Sequence, residues 1–393
     1  MNLYLQFVLR YLNPISKRNS FSSSASLLAI AGLSIGVFAL ILTMSIIRGF
    51  ELTLEKKISS IDGLFRIQNI FGELVDERDK LDSTLISKNL NIDINRYVRG
   101  SAIIRKGNLS EGILIEGVNK LPNNSYFDVP DKFIGDKLII GKSLCTNLGL
   151  KIGDRVIISP IEKNNNSYNI KFNSIEIGGI FNSGMPEYDK TLAYVSLEKA
   201  KTIFNIDKYI SGFIINSSDL TVKDSDQISD YVKYPLYIES WKDRHQIIFD
   251  WIKVQRLPII IIFGLIALVG IVNILSTISM IINEKSRQIG ILMAQGMRKE
   301  NIRKIFLLYG GVIGFFGCSI GSLLSYLFII LQNKYKFIAL PEDIYFMDHI
   351  PVKFDFNIFI LIFIISIFIS FISSIFPTKT IFRIEASKVL IQE

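Results

Sequence analysis

The sequence predicts a membrane α+β protein with four transmembrane helices, one plus three, and a large mixed α/β extracytoplasmic domain between helices one and two. Three observations predict it. Four segments, Ser24–Ile47, Leu257–Ile282, Ile305–Ile330 and Asn357–Thr378, carry no Asp, Glu, Lys or Arg. At about 1.5 Å of rise per residue, each is long enough to cross roughly 30 Å of hydrocarbon. Residues 48–256, by contrast, hold alternating and β-branched runs broken by polar turns, the pattern of strands. Lys and Arg gather beside particular span ends, which orients the chain. With 49% hydrophobic and 20% charged residues, the protein is too apolar for an ordinary soluble enzyme and too charged to be wholly embedded.

In chain order, residues 1–23 open with "NLYLQFVLRYL", which places Leu3, Phe7 and Arg10/Tyr11 at helical spacing ahead of Asn13-Pro14. This predicts a short amphipathic helix on the inner membrane face, followed by a linker. The span at 24–47 follows Lys17 and Arg18 as a secretory signal would. It exceeds the roughly 7–15 residues of a signal core and no A-x-A site follows, so it reads as a retained helix. Its Gly32 and Gly36, four positions apart, allow another helix to approach closely. Within the domain at 48–256, "FRIQNIF", "RVIISPI" and "IKFNSIEIGGIF" read as strands, and "SLEKAKTIF" as a helix capped by its Ser. The polar "PIEKNNNSYN" between two of those strands reads as a hairpin tip projecting into solvent, at about 159–169. "WKDRHQIIFDWIKVQR" predicts a helix running into the span at 257–282, with Pro258 near the boundary. A loop at 283–304 leads to the span at 305–330, where Gly310, Gly311, Gly314, Gly317, Gly321, Ser322 and Ser325 form a small-residue packing face. A second loop, 331–356, precedes the span at 357–378, whose Ile and Phe suit lipid, and residues 379–393 form the tail.

The 283–304 loop has six Lys or Arg, the 331–356 loop has three, and the tail adds Lys379, Arg383 and Lys388. Both termini and 283–304 are therefore expected in the cytoplasm, with 48–256 outside. On that assignment the cytoplasmic pieces hold 12 basic and 4 acidic residues, the whole +8 of the chain. The outside pieces are balanced, which gives no support for nucleic-acid binding.

Familiar chemistry does not assemble. Cys145 and Cys318 fall in the domain and in a span, so no disulfide framework is expected, and His245 and His349 lack partners at metal-ligand spacing. "GDKLIIGKS" has five residues between its glycines where a phosphate-binding loop needs four, so Gly141 reads as a turn before a short helix. The spans contain no Asp, Glu, Lys, Arg or His, against an ion-driven carrier. The chain is expected to be non-catalytic, with energy entering from elsewhere. The inlet is the 283–304 loop, where Ile289, Leu292, Met293 and Gly296/Met297 share one helical face. Gly296 is suited to ending that helix in a left-handed cap. The stripe, bordered by Glu284, Lys285, Arg287 and Gln288, suits either the membrane or a groove on a partner.

"NEKSRQIGILMAQGMRKENIRKIF" resembles the segment between the second and third spans of the MacB/FtsX-like permeases of ABC systems. "QFVLRYLNP", "SLLAIAGLSIGVFALILTMSIIRGFE", "IGKSLCTNLGLKIGDRVIIS", "DIYFMDHIPVKF" and "SSIFPTKTIFRIEASKVL" together resemble the LolC/LolE branch, the lipoprotein-releasing permeases. The resemblance implies a bacterial inner-membrane subunit that binds no cofactor itself, ATP and Mg being held by a cytoplasmic ABC ATPase partner. It implies ATPase coupling through Glu284, Lys285, Arg287, Ile289, Gly290, Ile291, Leu292 and Gly296. A second permease copy or paralogue would complete the unit. The substrate would be a lipoprotein, its acyl chains held between the first and second spans by Leu40, Met44, Ile47, Ile261, Leu265 and Leu268. A periplasmic lipoprotein carrier would dock on the hairpin at Pro160, Ile161, Glu162, Asn165 and Tyr168. At about 0.8 kcal/mol per buried methylene, some 45 methylenes hold such a substrate by roughly 35 kcal/mol, so spontaneous release into water is excluded. Two related readings stand beside it: a MacB-like exporter of peptides or small molecules, and an FtsX-like regulator of a cell-wall hydrolase.

Overall fold

The computed structural model describes residues 21–77, 92–121, 136–161, 172–217, 225–341, 345 and 347–383. The expected amphipathic helix at the start of the chain and most of the tail lie outside these residues. The elements run α1 (Phe21–Asp62), β1 (Phe65–Asn69), β2 (Val75–Asp76), β3 (Ile92–Lys106), β4 (Leu109–Val118), β5 (Leu138–Gly141), α2 (Lys142–Asn147), β6 (Arg155–Pro160), β7 (Asn173–Phe181), α3 (Pro186–Thr191) and β8 (Leu192–Ser196). They continue with α4 (Leu197–Phe204), β9 (Tyr209–Ile210), β10 (Gly212–Ser217), α5 (Ser225–Ser229), β11 (Leu236–Ser240), α6 (Trp241–Arg244), α7 (Gln246–Glu284), α8 (Ser286–Ala294), α9 (Lys299–Tyr335), α10 (Phe356–Ser373) and α11 (Ile375–Thr378), then a 3₁₀ turn at Lys379–Arg383. Among the described residues, four stretches are helical, long and apolar enough to cross a membrane: Ser24–Asp62, Gln246–Glu284, Lys299–Tyr335 and Phe356–Phe382. The chain divides into two units, one of Met1–Phe50, Ile252–Ile338 and Ile350–Glu393, the other of Glu51–Trp251 with Ala339–His349.

In the helical unit the small-residue face of α9 is shared between two neighbours. Gly317 and Gly321 receive α1: a Cβ on Gly321 would sit 2.5 Å from the Ser34 carbonyl oxygen. Gly310 and Gly314 receive α10, and the Ser370 hydroxyl donates to the Gly310 carbonyl at 2.9 Å. Helix α10 therefore does not simply face lipid, as its Ile and Phe content suggested; its Ser370, Ser373 and Ser374 are buried. Small hydroxyl side chains let the backbones approach; Ser370 places its proton on the neighbouring helix, while Ser373 and Ser374 donate to carbonyls four residues back, Ile369 and Ser370. Gly32 and Gly36 of α1 meet Asn273 and Ile266 of α7, the close approach that their spacing allows.

The domain unit is built on a nine-stranded sheet in the order β11-β1-β10-β3-β4-β8-β5-β7-β6, with β6 also paired to β3. That last pairing closes β3, β4, β8, β5, β7 and β6 into a ring. Most neighbours are antiparallel, but β4–β8 and β5–β7 run parallel. Alternation fills the interior: Val156 and Ile158 of β6 are buried while Arg155 and Ile157 face out. They join Ile104, Ile115, Ile177 and Phe213 in one core, each such side chain contributing about 1.5–3 kcal/mol when buried. Helix α4 starts where its sequence says, the Ser196 hydroxyl accepting from the Lys199 N–H at 3.3 Å. It lies on the sheet because Gly117 leaves room; a Cβ there would be 2.1 Å from Ala200.

One sequence expectation is corrected here. "WKDRHQIIFDWIKVQR" is not a single helix: α6 is a separate turn, held by a capping box between Ser240 and Asp243, and the chain bends at His245 before α7 begins. Pro258 marks no boundary and lies inside α7. The capping box satisfies the first N–H groups of α6 so well that the turn starts and ends locally.

Candidate functional site

Helix α8 occupies the segment singled out for coupling. It begins after a bend at Lys285, whose carbonyl accepts from the Ile289 N–H at 2.9 Å. Its end is set by glycine. Gly296 has φ +90° with open space where a Cβ would be, so it is required for backbone conformation rather than for room. The Gly296 N–H donates to Met293 and the Met297 N–H to Leu292, both at 3.0 Å, which is the paired closure of a Schellman motif. Arg298 then starts α9.

The apolar stripe of α8 does not face outward. Ile289 is 1% exposed, and Leu292, Met293 and Met297 pack beside it against Ile278, Ile282, Ile302 and Phe306. Gly290 is buried as well. The stripe expected to meet membrane or partner instead fastens α8 to its own bundle, because helical spacing says which residues share a face and not what that face touches. On the opposite ridge of α8, Arg287, Ile291, Ala294 and Gln295 are exposed, Ile291 at 43%. Of the eight proposed coupling residues, Glu284, Arg287, Ile291 and Gly296 are exposed, and Lys285, half-buried, lies 3.6 Å from Glu284.

The six proposed cavity residues do not form one wall. Leu40 lines a crevice of about 40 Å³ with Gly36, Ile266 and Gly270, where one water needs about 10–15 Å³ on the same measure. Leu40 and Met44 pack toward Val37, Ile41, Cys318 and Ile362, and Ile47 is half-buried. Ile261, Leu265 and Leu268 point away from the bundle, each more than half exposed. The glycines of α1 let α7 come close, at Asn273 and Ile266, and leave that crevice between them.

At the hairpin, β6 and β7 pair antiparallel from Arg155↔Glu176 to Ile158↔Asn173. Pro160 is buried opposite Ala102, and Ile161 is exposed with its N–H bonded to the Ser101 carbonyl. Glu162, Asn165 and Tyr168 lie outside the described residues. Ile103, Ile157, Ile161 and Phe172 are all large, apolar and 42–67% exposed around the root of the hairpin.

One cluster escaped the sequence reading altogether. Buried Arg66 grips buried Glu116 with two parallel hydrogen bonds, at 3.0 and 3.1 Å, and lies 3.1 Å from Asp62. Arg99 reaches Glu116 at 2.7 Å, and Arg244 reaches Glu239 at 2.9 Å. The Tyr97 ring lies 4.7 Å from the Arg66 guanidinium. Its residues come from α1, β1, β3, β4, β11 and α6, so no local motif announces it. Burial by itself raises the proton affinity of Glu116, but Arg66 and Arg99 outweigh it and hold the carboxyl below its ordinary range. A carboxylate lowered on folding adds stability that is fully present above its unfolded pKa, ~4.3, and is lost as pH falls through the folded value. The domain is therefore expected to keep its denaturant midpoint from pH 7 to 5 and to lose it below about pH 4, at about 1.4 kcal/mol for each tenfold change in proton affinity. Fluorescence of buried Trp241 follows this, and a midpoint unchanged at pH 3 would refute it.

No group of three or more His, Cys, Asp or Glu side chains suited to a metal occurs among the described residues. The family comparisons agree with the architecture. Residues 26–232 match the MacB-like periplasmic core domain and residues 260–386 the FtsX-like permease C-terminal region. The lipoprotein-releasing system transmembrane protein LolC of Neisseria meningitidis is 24% identical over 408 residues, covering 97% of each chain. LolC of Buchnera aphidicola subsp. Schizaphis graminum is 27% identical, covering 100% of this chain and 99% of its own. LolE of Haemophilus influenzae is 22% identical, over 91% of this chain and 92% of its own. With a MacB-like periplasmic core domain matching more than half of its length and an FtsX-like permease region behind it, the chain belongs to the MacB/FtsX-like ABC permeases, alongside the LolC/LolE proteins.

Proposed function

We propose that this chain is the transmembrane subunit of an inner-membrane ABC system that extracts lipoproteins from the membrane and passes them to a periplasmic carrier. A cytoplasmic ATPase supplies the energy. The observation that carries this reading is the end-to-end similarity to relatives named as lipoprotein-releasing proteins, through domain and permease alike. The exposed ridge of α8 then serves as the ATPase contact, anchored by its buried stripe so that a push on the helix is passed into the bundle. The apolar residues at the hairpin root, Ile103, Ile157, Ile161 and Phe172, offer the carrier an exposed apolar surface.

The acyl chains need more space than the crevice between α1 and α7 holds. On this reading the outward face of α7, at Ile261, Leu265 and Leu268, becomes one wall of a cavity that a second permease copy or paralogue completes.

The test uses the full chain, its ATPase and a triacylated lipoprotein in proteoliposomes with a soluble carrier outside. ATP-dependent transfer to the carrier is expected, with a photo-crosslinker at Ile161 trapping it. Depletion that leaves lipoprotein sorting intact while an outer-membrane channel co-purifies would favour the exporter instead. Capture of a cell-wall hydrolase by the domain would favour the regulator.

A further inference from the structure

Within the domain unit, the last residue of α1 is joined to the residue just before α7. His245 Nε2 lies 2.6 Å from Asp62 Oδ2, across 183 positions of sequence. Tyr188 of α3 touches both, its hydroxyl 3.3 Å from the same carboxylate oxygen and 3.0 Å from the same ring nitrogen. Each partner is held firmly on its own side. The Asp62 carbonyl, at the end of its helix, accepts from Arg66 Nε at 3.0 Å. The His245 N–H bonds the Trp241 carbonyl at 3.1 Å, and Trp241, itself 2% exposed, donates its own N–H to the Leu64 carbonyl.

Around this pair, Arg66, Arg99 and Arg244 stand against Asp62, Glu116 and Glu239. A joint that only had to be stable would do as well or better with apolar packing, since desolvation offsets much of what a buried ion pair contributes. The ionic joint adds geometry. Apolar side chains slide past one another at little cost, whereas charge-assisted hydrogen bonds weaken steeply once distance or angle departs from its optimum. A slide of one helix by a single turn, about 5.4 Å, would carry Asp62 out of reach of the ring.

We infer that Asp62 and His245 are positioning residues that lock the domain-side ends of α1 and α7 into one register, so that displacement of either helix is delivered to the domain by both together. The release readout rests on the function proposed above; the joint itself does not. Opening the joint leaves ATP hydrolysis intact and separates it from work on the substrate.

The experiment uses the full chain with its ATPase in proteoliposomes, with Cys145→Ser and Cys318→Ala as background and spin labels on Glu55→Cys and Ile247→Cys. A single narrow distance distribution, the same with and without nucleotide, is expected when His245 is present, and a broadened one in His245→Ala. That variant is also expected to hydrolyse ATP within about twofold of the parent yet release about tenfold less lipoprotein per ATP, a loss within the usual range of coupling energies. His245→Gln, whose amide can donate to Asp62, restores both readouts. Should His245→Ala fail to fold, Asp62→Asn, which keeps the shape and removes the charge, is read in the same two ways. A narrow distribution and parental release per ATP in these variants overturn the inference. If the parent hydrolyses ATP but releases no lipoprotein, the proposed function fails, while the spin-label distances still decide the joint.

Discussion

Replacing Arg287 with Glu and Ile291 with Asp is expected to strip the ATPase from the purified chain while the permease still inserts. Both residues lie on the open ridge of α8, where Ile291 is the large apolar group. An apolar anchor at the centre of an interface is commonly worth 2 kcal/mol or more, so affinity should fall by about 30-fold or more once a carboxylate replaces it. Ile289→Asp makes the instructive comparison. Ile289 is 1% exposed among Ile278, Ile282 and Phe306. Burying a charge in that apolar cluster costs several kcal/mol, so this variant is expected to disorder the end of the bundle and fail at insertion or folding. Co-purification from detergent, read beside protease protection of the inserted chain, separates the two outcomes. Parental recovery of the ATPase with Arg287→Glu/Ile291→Asp would remove α8 from the interface.

Arg66→Ala should be the most damaging single substitution in the domain. It leaves Glu116 and Asp62, 1% and 2% exposed, without the guanidinium that bridges them. Removing one partner of a buried ion pair costs about 3–5 kcal/mol, a large share of the 5–15 kcal/mol that holds a domain folded. Arg99 stays 2.7 Å from Glu116, which sets the expectation at the lower end of that range. The paired change Arg66→Met with Glu116→Leu removes both charges together and is expected to recover most of the loss. Guanidinium titration of the full chain, followed by Trp241 fluorescence, measures both. A loss below about 1 kcal/mol for Arg66→Ala would mean that water reaches Glu116 and replaces the arginine.

The difference between these two sites shows where sequence reading reaches and where it stops. Helix α8 was legible because its pattern is local: apolar residues at helical spacing and a glycine at the one position that needs positive φ. The partner of its stripe was not legible. An apolar face fits a membrane, a foreign groove or the chain's own bundle equally well, and only the packing of Ile289 against α7 and α9 chooses among them. The hairpin flanks were legible for the same local reason, since strand alternation at Val156 and Ile158 needs no knowledge of the rest of the sheet.

Hydropathy and charge order along the chain were enough to determine the four apolar helices and the mixed domain after the first of them. These properties are set by neighbours within a turn or two, or by totals that do not depend on folding. Tertiary structure alone decided that the stripe of α8 is an anchor and its other ridge the free face. It alone brought α1 and α7 together at Gly32 and Gly36, and gathered Asp62, Arg66, Arg99, Glu116, Arg244 and His245 into one cluster. Those outcomes depend on contacts between residues as far apart as Gly32 and Asn273, and neither periodicity nor composition carries information at that range.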